Sequence, residues 1–248
     1  MKIRDALLRG FVALLATGAC VCVTSAQAAD GDWSTAKWGA KGNVEFQVSL
    51  GESGPVIGLA HHSWTHGDGG YQLRLALETT GATAVLYKLD YVQQSQGTVG
   101  ESGLQPRRFE VLQSGRKPET AEFDWQQSRL SIRRDGRERR FTALKTGDQD
   151  ILSIWHQIGH LDKLPKNVLV AANKNFRRVG VARLEDGSVD VPAGHFATRH
   201  FRITSEDGRF ITDLWLALDY GMAPVRAVLV DPKVVTLGLQ ATSVSVSK

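Results

Sequence analysis

Residues 146–161 read TGDQDILSIWHQIGHL, and this stretch constrains what the rest of the chain can fold into. It carries a helical period in a sequence otherwise written in short alternating runs. Thr146 followed three residues later by Gln149 has the spacing of a capping box. Asp148 and Asp150 would then lie in the first turn, where backbone N–H groups favour negative charge. Ile151, Trp155 and Ile158 recur at i, i+4 and i+7 as one apolar face, and Pro165 stops any continuation. A single amphipathic helix among many strands must bury that face on a sheet. The expected fold is therefore mainly β: a large curved antiparallel sheet or partly open barrel, with a capped helix packed on its inner face.

The strands announce themselves by alternation. Val44, Phe46, Val48 and Leu50 form the first, and a second run reaches Trp64. Tyr71, Leu73, Leu75 and Leu77 follow the turn Gly67-Asp68-Gly69-Gly70. Val85, Tyr87, Leu89 and Tyr91 predict another strand, and further pairs are Phe109 with Val111 and Phe123 with Trp125. Asp135-Gly136 is a strong two-residue hairpin signal. After the helix come Asp186-Gly187 and Asp207-Gly208 turns, the run Phe210 to Leu218, and closing strands over 225–230 and 234–246. The expected organisation is a secretory leader at 1–28, a loose segment at 29–40 containing Trp33 and Trp38, and one β-rich domain at 41–248.

The leader has three parts: Lys2, Arg4 and Arg9, an apolar run from Phe11 to Val23, and Ala26-Gln27-Ala28 before the expected cleavage site. The apolar run is short for a spanning helix, so a periplasmic destination is expected. Both cysteines, Cys20 and Cys22, fall inside the leader. The remaining chain has no thiol chemistry and no disulfide staple. Removing three cations and one anion with the leader lowers the formal charge from +4 to +2. That balance gives no argument for nucleic-acid binding.

Few residues group in a way that carries chemistry. His156 and His160 stand four apart on the expected helix and could face one zinc ion. A zincin would need a glutamate at position 157, and this chain has Gln157. They are expected to be partly exposed histidines beside the apolar stripe, with no metal and no cofactor. His61, His62 and His66 form a second group, but adjacent strand residues point to opposite faces, and ordinary surface histidines are expected. Asp148 and Asp150 do not share a helix face and are read as helix-terminal residues. Arg133, Arg134, Arg137, Arg139 and Arg140 crowd one hairpin. They read first as a solvated sheet edge that discourages pairing, and second as a surface for anionic lipid headgroups.

Several short motifs, in order, resemble the DUF3108 family of exported bacterial proteins. They are Ser102-Gly103-Leu104 with Pro106, Asp148-Gln149-Asp150 with Leu152-Ser153, Pro192-Ala193-Gly194 with Phe196-Ala197-Thr198, and Leu214-Trp215-Leu216-Ala217 with Asp219 and Pro224-Val225. The opening strand followed by Gly58 also fits, and the likeness spans about residues 41–230. More remotely the family resembles periplasmic lipoprotein carriers of the LolA and LolB type. That likeness implies an apolar-ligand cavity and supplies no catalytic residues.

The expectation is a noncatalytic periplasmic envelope protein that binds or carries an apolar or lipid-like ligand. Trp125, Ile151, Trp155, Ile158, Leu214 and Leu216 are the candidate lining residues. The alternatives are an envelope assembly or structural factor, partnered by another envelope protein or the membrane surface, and a hydrolase of unknown substrate.

Overall fold

In a computed structural model, the described residues are 38–86, 88–100, 102–231 and 235–247. The leader, both cysteines, Trp33 and Tyr87 lie outside them.

Alternation converts directly into strands. In β1 (Lys41–Leu50), Val44, Phe46 and Val48 are buried between more exposed neighbours. β2 (Val56–Gly67), β3 (Gly70–Thr79), β4 (Asp90–Gly100) and β5 (Gly103–Gln113) continue the meander, each antiparallel to the last. β6 (Glu119–Asp124), β7 (Arg129–Arg134) and β8 (Arg137–Ala143) carry it outward. Asp135 and Gly136 both have positive φ, as a tight turn matching the strand twist requires.

The chain then crosses to the opposite side and returns. β9 (Gln149–Asp150) pairs in parallel with β10 (Val168–Ala171), followed by β11 (Phe176–Arg183), β12 (Gly187–Val191) and β13 (Gly194–Ser205). β14 (Ile211–Ala217) and β15 (Ala223–Asp231) lead to β16 (Val235–Ser247), which pairs with β1. The result is one unclosed sheet with β8 at one edge and β9 at the other. Its inner face buries a continuous apolar core running from Trp38 to Ala241.

Two sequence expectations fail locally. The strand expected from Val85 to Tyr91 is instead a short helix, α1 (Gly81–Leu86), with β4 beginning at Asp90. Val85 is 87% exposed, so it never shared a buried face with Tyr91. The long capped helix is also corrected. Only α2 (Ser153–Gln157) and a 3-10 turn (Ile158–His160) are helical. Thr146 caps nothing, because Gln149 and Asp150 are drawn into β9. Asp150 caps α2 itself: its Oδ1 accepts the N–H groups of Leu152 and Ser153, both at 2.9 Å.

Candidate binding groove and the buried plug

Every residue of α2 is buried, so it is a plug and not a surface helix with one apolar face. A helix buried on all sides must satisfy its polar groups inside the protein. Gln157 does so against the start of β5: its Oε1 accepts the Leu104 N–H at 2.7 Å, and its Nε2 donates to the Ser102 carbonyl at 3.0 Å. Gln149 Nε2 donates to the Leu104 carbonyl at 2.8 Å. Residues 102–104 precede the β5 residues that pair with β6, so these side chains stand in for a missing strand partner. Gln149 thus ties the β9 edge to the part of β5 left unpaired before β6, through its side chain and not by a backbone ladder.

His62 and His156 are not the surface or partly exposed histidines expected from the sequence. His62 and His156 are fully buried, and their Nε2 atoms lie 2.8 Å apart. His62 Nδ1 lies 3.0 Å from the Arg74 carbonyl. A carbonyl only accepts, so His62 Nδ1 carries the proton. In the neutral ring, His62 Nε2 is then an acceptor and His156 Nε2–H the donor. Burial pushes the His62 imidazole down to about 4, and burial, with the neighbouring His62, holds His156 well below its ordinary value. Trp38, Trp64 and Trp155 enclose the pair. Trp38, expected in a loose lead-in, is only 1% exposed and stacks on His66 at 4.4 Å between ring centroids. His61 points the other way and is exposed. His160 is half-buried and is held down to about 4, chiefly by burial. Among the described residues, no group of three or more His, Cys, Asp or Glu side chains could hold a metal ion.

A second polar network adjoins the plug. Ser95 Oγ donates to Asp150 Oδ2 at 2.6 Å, and Tyr71 Oη lies 3.3 Å from Ser95 Oγ. Burial lifts Asp150 up to about 6 despite its hydrogen bonds. Asp148 is separately committed: its carboxylate accepts the N–H groups of Lys145 and Leu169.

The residues expected to line an apolar cavity are spread through this interior. Trp155, Ile158, Leu214 and Leu216 are packed in the core at 2% exposure or less. Ile151 and Trp125 are half-buried at its margin, and Trp125 Nε1 donates to the Pro106 carbonyl at 2.6 Å. None of the six lines the cavity of about 540 Å³ that lies over β1–β5.

That cavity is a groove on the outer face, and register explains its composition. One cross-strand row reads Asn43, Ser63, Arg74, Gln94 and Glu110; the next reads Lys41, Thr65, Gln72, Gln96 and Arg108. His61 adds to the lining. Glu110 is held by Arg108 at 3.0 Å. Lys41 and Arg74 have no ion-pair partner among the described residues, and Asn43 Oδ1 is buried without a hydrogen bond. Sequence reasoning missed this groove. Alternation marks its residues as outward-facing, but only register makes them neighbours.

The five hairpin arginines lie at the β8 edge. Arg133 pairs with Glu122 at 2.7 Å and Arg134 with Glu119 at 3.6 Å, while Arg137, Arg139 and Arg140 are exposed.

An open, strongly curved antiparallel sheet around a buried plug defines a β-barrel-like class of protein. A crystal structure of a β-barrel-like protein with the domain of unknown function DUF1849, from Brucella abortus, shares this fold. The TM-score is 0.54 at 10% identity, over 85% of this chain and 99% of that one. An exported protein with a YmcC-like fold from Bacteroides fragilis aligns at TM-score 0.36 and 8% identity, over 82% of this chain and 95% of that one. A lipoprotein from Parabacteroides distasonis aligns at TM-score 0.36 and 9% identity, over 88% and 100%. No curated protein matches the chain. Residues 45–233 match the family described as "Protein of unknown function (DUF3108)", and the chain belongs to that family.

Proposed function

We propose that this chain is an exported, noncatalytic binding protein that holds a hydroxyl-rich, acidic chain of glycan type across the outer face of β1–β5. The observation that carries the reading is the pair of polar cross-strand rows in the groove. Neighbouring strands are about 4.8 Å apart, so five strands offer a ladder about 19 Å long. Its two rows hold four amides (Asn43, Gln72, Gln94, Gln96) and two hydroxyls (Ser63, Thr65). Such groups both donate and accept, as sugar hydroxyls do. The uncompensated charges of Lys41 and Arg74 favour a ligand that also carries carboxylates. The one carboxylate among the lining residues, Glu110, is engaged by Arg108, which favours holding a ligand over turning it over. The inner face, where an apolar ligand is the sequence expectation, is occupied by the plug and its tryptophans. The three-part leader at 1–28 supports export.

Calorimetric titration with an alginate tetramer and with maltotetraose tests this reading. The acidic oligosaccharide should bind, and the K41A/R74A double variant should lose that binding while keeping its thermal midpoint. Silence with the acidic oligosaccharide, or undiminished binding by the double variant, would refute it.

A further inference from the structure

The β8 edge offers a second site, independent of the groove. Residues 137–141 are all exposed, so this strand lies wholly outside the core. The nearby acids are already engaged. Glu138 holds Arg129 at 2.8 Å, Glu122 holds Arg133, Glu119 faces Arg134, and Asp135 holds Lys117. Arg137, Arg139 and Arg140 have no ion-pair partner among the described residues. Beside them Phe141 is 60% exposed, with the Arg129 guanidinium 3.8 Å above its ring.

Protection of a free sheet edge accounts for the arginines. It does not account for Phe141, since an exposed aromatic on an edge strand promotes the association that edge charges prevent. Arg140 and Phe141 are successive residues of the strand and point to opposite faces, so the guanidiniums and the aromatic flank the free edge. Presented edge-on, that edge matches a surface that is anionic outside and apolar just beneath. We propose that the β7–β8 edge docks on anionic phospholipid. Arg137, Arg139 and Arg140 meet headgroup phosphates, which the guanidinium fork can engage with two hydrogen bonds. Phe141 enters the interface beneath them. A bulge between Ile132 and Arg133 locally breaks the β7–β8 register and leaves Arg139 without a cross-strand partner.

Co-sedimentation of the exported protein with phosphatidylcholine vesicles, with and without phosphatidylglycerol, tests the proposal. Binding should require the anionic lipid and weaken with salt. The R137S/R139S/R140S variant should bind about a hundredfold more weakly, from about fivefold per arginine. F141S should weaken binding at high salt as well, which a purely electrostatic contact would not show. K41A/R74A, which removes two cations from the groove, should bind vesicles like the wild type. Inorganic phosphate at matched concentration should not displace the lipid. Unchanged binding by the triple arginine variant overturns the proposal. An equal loss in K41A/R74A also overturns it, by showing attraction through net charge alone. Because the groove and this edge share no residue, vesicle binding can fail while oligosaccharide binding survives, and the reverse.

Discussion

Replacing Asp150 with asparagine should make the protein lose stability on acidification more steeply than the wild type. Two groups in one core oppose each other. Burial holds His62 at about 4 against an ordinary 6.5. Between those values the unfolded chain binds a proton that the folded chain refuses, so stability falls as pH falls. Burial lifts Asp150 from 3.8 to about 6. In that window the folded chain holds the proton, so stability rises as pH falls. Displacements of this size correspond to about 3 kcal/mol each, and the aspartate nearly cancels the histidine. His160, also at about 4, and His156, held below its ordinary value, add to the acid loss. Asparagine keeps the Oδ1 acceptor for the Leu152 and Ser153 N–H groups. Its amide can donate to Ser95 Oγ, freeing that hydroxyl to donate to Tyr71 Oη. Only the titration is removed. Urea unfolding followed by tryptophan fluorescence between neutral pH and pH about 4 should show the variant losing about 3 kcal/mol more than the wild type. Parallel pH profiles for the two proteins would refute the reasoning.

Gln157→Glu supplies the acid that a zincin motif lacks, yet it removes the donor to the Ser102 carbonyl. It should cost about 1–3 kcal/mol in urea unfolding, and elemental analysis should still find no stoichiometric zinc. Trp155→Ala should cost about 3–5 kcal/mol, because a tryptophan 2% exposed leaves a void in a packed core. A shift under about 1 kcal/mol would contradict a filled plug. In Gly42→Ala the new Cβ would fall 1.9 Å from Trp64 Cζ2. A loss of about 1–3 kcal/mol from overpacking is expected, with a changed near-ultraviolet dichroism from the displaced indole.

Which parts of this architecture were legible in the sequence depended on the range of the determining interactions. Val44, Phe46 and Val48 declare their strand because burial on one face imposes a period of two, and Asp135-Gly136 declares its hairpin because the turn needs two positive φ angles. The helix is different. Its apolar spacing from Ile151 to Ile158 is real, but Gln149 satisfies a distant β5 carbonyl, and tertiary bonding overrides the local capping pattern. His62 and His156 are 94 residues apart, so no local spacing could reveal their pairing. The groove needed register as well as alternation: the slip between Gln96 and Gly97 decides which β5 residue stands beside Gln96.

The pairing of the first strand with the last has a consequence for how the protein is born. Gln47 and Gln240 hydrogen-bond across 193 positions of sequence, so β1 sits mid-sheet with neighbours that arrive at very different times. A chain emerging N-terminus first can zip β1 through β8 into a meander, but the other side of β1 stays bare until nearly the last residue appears. Such long-range pairing is slow to form, and a waiting strand edge recruits foreign strands. The vulnerable species is therefore the nearly complete nascent chain. A stop codon just before Val235 would leave that edge open permanently, converting a transient hazard into a product prone to aggregation.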